Sequence, residues 1–141
     1  MKNAAVPRSH PVLTMNTHEN YLKSQTKLLS TYLHEQLHWH VIINGKVSYG
    51  QFMRRVKAEF PDVKVGGAQG SSDEEGTLNH IVVCYLEYLA LSELIGQPEA
   101  KNNLASNHYY KWVYQTVLDP KNKGKLDALV NEFGLTWSAA G

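Results

Sequence analysis

A chain of 141 residues that is 43% apolar and 19% charged has enough hydrophobic surface for one folded core and too little length for two, so residues 1–141 are expected to form a single domain. A formal net charge of +1 argues against a nucleic-acid partner, because proteins of that kind gather Lys and Arg on one face. One cysteine, Cys84, forbids an internal disulfide, and the opening residues Met1 to Pro7 contain no apolar stretch; both point to a soluble, cytoplasmic protein with no membrane partner.

Residues 1–15, with Pro7 and Pro11, read as an irregular lead-in, in which Val12 to Met15 can form a short strand. The first helix is expected from Asn16 or Thr17 to about Val41. Leu22, Gln25, Leu29, Tyr32, Leu33, Gln36 and Leu37 recur at helical spacing, and no Pro or Gly interrupts residues 16–44. Asn44-Gly45 then predicts a tight turn, with Val41-Ile42-Ile43 and Lys46-Val47 as the two sides of a very short hairpin. Ser48 and Gln51 form a capping-box pair ahead of Phe52, Val56 and Phe60, so a second helix ends at Pro61.

Residues 61–76, rich in Gly, Ser and acid, read as a flexible loop beside a cleft. They lack the Gly-Lys-Ser of a phosphate-binding loop. A third helix runs from about Thr77 to Ile95, where Gly96 and Pro98 stop it; His80, Cys84, Glu87 and Leu91 lie along one face. Glu87, inside the apolar run Ile81 to Leu91, needs a partner if it is buried, and a metal or a metal-bound histidine would serve. That run is too short to span a bilayer. Ser106 is the expected cap of a fourth helix, His108 to about Val117, with Tyr109, Tyr110, Trp112 and Tyr114 as packing or cleft-wall residues. Asp119-Pro120 starts a last helix that Gly134 closes. The sum is a mainly α, compact helical domain of about five helices with at most a small β element.

The chemistry sits in the first helix. His34-Glu35-Gln36-Leu37-His38 spells H-E-x-x-H, which puts two imidazoles one turn apart on the same face with a carboxylate beside the first. Two such imidazoles fill two positions of a tetrahedral zinc ion. A third protein ligand comes from elsewhere, and water takes the fourth position, where Glu35 can accept its proton. Metal-assisted hydrolysis is the implied reaction.

On His34, Glu35 and His38, the chain resembles the zincin-type zinc metallopeptidases. The resemblance implies a zincin-like active-site helix carrying two ligands and the catalytic Glu35, a second helix that delivers the third ligand, and a peptide or protein substrate. Val41 and Asn44 stand where the extended H-E-x-x-H-x-x-G-x-x-H motif requires Gly and His, so that subclass is excluded, and His40 points to another side of the helix. The third ligand is therefore sought on the third helix. His80, in its first turn, is favoured, with Glu87 accepting a hydrogen bond from a ligand imidazole. The other choice is Glu87 itself, as in the glutamate-zincins, although Leu86 replaces the Asn usual before that glutamate. The group that stabilises the oxyanion is sought among Tyr85, Tyr88, His108, Tyr109 and Tyr110. Two other readings stay open: a metal-dependent hydrolase of a small non-peptide substrate, and a non-enzymatic helical interaction protein that presents Tyr109, Tyr110 and Trp112 as an exposed aromatic patch.

Overall fold

The computed structural model describes Met15 and residues 24–137. The lead-in, the strand expected at Val12 to Met15 except its last residue, and the caps expected at Asn16 and Thr17 lie outside the described residues. Among those described the chain is mainly α, with six α-helices, one more than expected, a single 3-10 turn and no strand.

Helix α1 (Gln25–Asn44) begins behind Ser24, whose extended backbone lets its hydroxyl accept from the Lys27 amide. It runs on through the residues expected to form a hairpin. The Gly45 N–H donates to Val41 O and the Asn44 side-chain amide to His40 O, so the helix completes its last turn, while Ile42 and Ile43 lie exposed with no strand to pair with. Helix α2 (Tyr49–Glu59) has the expected capping box of Ser48 and Gln51, and it buries Phe52 and Val56.

Helix α3 (Glu74–Ile95) is the axis of the molecule and packs against every other helix. It starts three residues earlier than the apolar pattern indicates. Asp73 accepts from the Gly76 amide, and Glu74 and Glu75 occupy the first turn, where the helix dipole favours acids. Its 22 residues are, by length and composition, enough to cross a bilayer, longer than the Ile81–Leu91 run alone. Here they form a core helix, with Thr77, Leu78 and every residue from Ile81 to Glu87 buried.

The sequence pattern missed α4 (Gln97–Ala105). Gly96 and Pro98 do stop α3, but Pro98 also opens the next helix, since proline suits the first turn, where its absent N–H has no helical partner. Ser106 ends α4 instead of starting the following helix, its hydroxyl donating to Asn103 O. Helix α5 (Lys111–Leu118) begins later than expected, behind Tyr110, which holds a left-handed backbone at φ 54° and ψ 35°. That conformation costs a residue with a Cβ about 1–2 kcal/mol. The 3-10 turn Pro120–Asn122 follows Asp119 and leads into α6 (Lys123–Glu132).

Phe52 of α2 and Phe133 just beyond α6 meet with ring centroids 4.7 Å apart, and with Val56, Leu126, Leu129, Val130 and Leu135 they make an apolar core. The loop between α2 and α3 is tied down at several points. Gly66 N–H donates to Ser71 O, Ser71 N–H to the Thr77 hydroxyl, and the first two amides of α5, Lys111 and Trp112, donate to Ala68 O and Gln69 O. The loop carbonyls thereby cap a helix that has no side-chain cap.

Candidate metal centre

Ser30, His34 and His38 follow one another at one-turn intervals along α1, and on the facing helix His80, Cys84 and Glu87 do nearly the same. Glu87 is 1% exposed among apolar side chains, a position that a carboxylate tolerates only with donors. It has three. Ser30 Oγ donates to Oε1 at 2.6 Å, while the Tyr114 hydroxyl and His34 Nδ1 both donate to Oε2 at 2.8 Å. Three helices thus converge on one carboxylate.

That network decides which way the imidazoles point. With Nδ1 committed to Glu87, His34 turns Nε2 toward His38, whose own Nε2 lies 3.3 Å away. His80 donates from Nδ1 to Gly76 O at 2.7 Å, leaving its Nε2 as the free nitrogen. Gly76 is needed here for space, because a Cβ on it would come within 2.4 Å of Ser71 Oγ. The His80 ring centroid is 5.3 Å from that of His34 and 4.9 Å from that of His38. His34, His38 and His80 form a cluster that can hold a metal ion, one nitrogen from each lying within 4.8 Å of the others. At metal–nitrogen distances of about 2.0–2.1 Å, two ligands of a tetrahedral ion stand about 3.3 Å apart. The Nε2 atoms of His34 and His38 stand 3.3 Å apart, a hydrogen bond whose length is also that of such an edge.

A second set, His34, Cys84 and Glu87, also lies within 4.8 Å. It shares His34, so the two sets are not independent sites. Its Nδ1 to Oε2 distance of 2.8 Å is that of a hydrogen bond, and Glu87 already serves three donors, so the three-histidine set is the better metal cradle.

Burial pulls the His34 pKa down, but the Glu87 carboxylate and the Cys84 side chain together outweigh it and leave the ring well above its ordinary value. His80 goes the other way, to about 4, through burial and then the positive His34, against the Gly76 carbonyl. Cys84 is raised by burial and is a thiol, not a thiolate. Glu35, 5% exposed, is raised by burial and further by Glu87, with His34 opposing. Among the described residues no side chain donates a hydrogen bond to its carboxylate.

The structure brings together His34, His38 and His80 and sets Glu87 against His34. Among the candidates for the oxyanion, Tyr110 stacks on His80 with centroids 4.2 Å apart and planes 16° from parallel, and burial, then Cys84 and Glu35, raise its pKa against Ser71. Tyr85 instead donates to Asp127, and Tyr109 lies 68% exposed. His40 Nε2 donates to Leu135 O, away from the cluster. Sequence reasoning missed Ser30, Tyr114 and the Gly76 carbonyl. Ser30 carried a usable signal, one turn before His34 on the same face; Tyr114 carried none, because its role depends on where α5 crosses α3. Comparison of the chain with protein-family models, with curated proteins and with solved structures finds no match.

Proposed function

We propose that the protein is a zinc-dependent hydrolase acting on peptide bonds, with His34, His38 and His80 holding the ion through their Nε2 atoms and Glu35 as general base. The observation that carries this reading is the arrangement of the imidazoles: two Nδ1 atoms are committed to Glu87 and Gly76 O, and the His34 and His38 Nε2 atoms stand one tetrahedral edge apart. A bound zinc ion supplies Lewis acidity, lowering the pKa of a coordinated water and polarising a carbonyl.

The side chains supply the rest. Glu87, itself held by Ser30 and Tyr114, keeps the Nδ1 proton on His34 and so fixes its tautomer. Glu35 is a stronger base than an exposed carboxylate, since burial raises its pKa toward neutrality. It takes the proton from water and passes it to the leaving nitrogen. Tyr110, whose pKa burial also raises, keeps its phenolic proton and offers it to the carbonyl oxygen as charge develops there.

The test is elemental analysis and peptide hydrolysis on protein purified without chelator or nickel resin. One equivalent of zinc is expected in both wild type and Glu35→Gln, with hydrolysis of a quenched peptide library nearly abolished in the variant. Metal lost from Glu35→Gln would give that residue a different role. Turnover of small esters or amides without peptides would move the substrate class, and a wild-type protein that takes up no zinc would leave the interaction-protein reading.

A further inference from the structure

Tyr110 is the one non-glycine residue with positive φ among those described. A glycine would adopt this backbone freely, whereas a tyrosine there is strained, so the side chain has a use that outweighs the strain. Its ring lies almost flat on His80, 4.2 Å between centroids and 16° between planes, and more distantly over His34, at 6.4 Å and 25°. The backbone around it is fixed from the other side. Lys111 N–H donates to Ala68 O at 2.9 Å and Trp112 N–H to Gln69 O at 3.2 Å, and the same loop runs into the first turn of α3, where Ser71 N–H meets the Thr77 hydroxyl.

A histidine ring turns easily about its last torsion, because the bond to an sp² ring has a broad profile. The hydrogen bond from His80 Nδ1 to Gly76 O holds one edge of the ring but leaves it free to tip about that contact. A flat neighbour at stacking distance removes the tipping motion. We infer that Tyr110 is a positioning residue of the metal centre, held in its left-handed conformation so that its ring fixes the plane of His80 and aims Nε2 at the site shared with His34 and His38. This inference rests on the reading of His80 as a zinc ligand and adds to it the element that sets how tightly and in what geometry the ion is held. This positioning role belongs to the ring and is separate from the part proposed above for the phenol hydroxyl at the carbonyl oxygen.

Zinc affinity is measured by competition with a chromophoric chelator on the full chain, for wild type and for Tyr110→Phe, Tyr110→Leu and Tyr110→Gly. Phenylalanine keeps the stack, and its affinity is expected to match wild type. Leucine keeps the bulk and the backbone strain without a flat ring, while glycine removes ring and strain together. Both are expected to weaken binding by about 10- to 100-fold, the range for groups that orient a ligand. The visible spectrum of the cobalt-loaded protein is the second readout, since intense tetrahedral bands should persist in Tyr110→Phe and fade in Tyr110→Leu, which a loss of stability alone would not produce. Wild-type zinc binding with unshifted affinity in Tyr110→Leu overturns the inference and spares the metal centre, and so does a loss confined to Tyr110→Phe. A wild-type protein without zinc overturns both.

Discussion

Two regions of this molecule are equally dry and differently built. Around Phe52, Leu129 and Phe133 the helices meet through hydrocarbon alone, and Phe133 is 0% exposed. Along the seam between α1 and α3, Glu87 is 1% exposed, yet the contacts are a carboxylate, two hydroxyls and imidazoles. Apolar packing stabilises by about 1.5–3 kcal/mol for each large side chain buried. A buried charged network often does no more than offset its own desolvation, so it is weak evidence of what holds a fold together. The difference separates an interior that holds the fold together from one whose side chains are able to coordinate a metal ion.

The largest effect should come from the apolar region. Phe133→Ala is expected to destabilise the protein by about 3–5 kcal/mol, read from denaturant unfolding, while the zinc affinity of the folded molecules stays as it was. A variant that stayed stable but bound zinc poorly would erase the distinction between the regions.

In the seam the effect moves from stability to metal binding. Glu87→Gln should weaken zinc affinity by about 10- to 100-fold and also change its pH dependence. In the wild type the raised pKa of His34 means that zinc must displace a proton there, so affinity climbs as pH rises from 6.5 toward that raised value. Without the carboxylate, burial pulls the His34 pKa down against Cys84 only, and the climb over the same range should flatten. Competition titrations across pH check this, and equal slopes in the two proteins would separate Glu87 from the imidazole it touches.

The smallest effect belongs to the surface. Arg55 forks onto Glu132 and reaches Glu59, joining α2 to α6 over the apolar core. Exposed ion pairs of this kind contribute little, so Arg55→Ala should melt at a temperature indistinguishable from wild type in a scan at moderate salt. A clear drop would mean that charge, and not hydrocarbon alone, holds that side together.

Much of this was legible in the sequence wherever a local rule sufficed. The Ser48 and Gln51 box, the stripe of Phe52 and Val56, and the long apolar run of α3 give the mainly α fold, and the one-turn spacing puts His34 and His38 on the same side of α1. The failures share a cause. Pro98 reads only as a stop because the residues after it lack an apolar stripe, and α4 is held by burying Ala100 and Leu104 against its neighbours. Ile42 and Ile43 have strand propensity but, among the described residues, no strand beside them. Tyr110 has no local reason to be left-handed; that conformation depends on a loop some forty residues earlier in the chain. Residues answering to distant neighbours were the ones that local patterns could not reach.

The hydrogen bonds from Ser30 and His34 to Glu87 join residues 57 and 53 positions apart, and this has a consequence for the order of events in time. Closing a loop of that length costs entropy before any contact repays it, so the seam belongs, like the Phe52 and Phe133 contact, to the long-range part of the fold and not to its local helices. His80 therefore faces His34 and His38 only once the two helices are paired. An ion held across that seam would bind groups brought together by folding, and it would then retard the departure from the native state rather than hasten the approach to it.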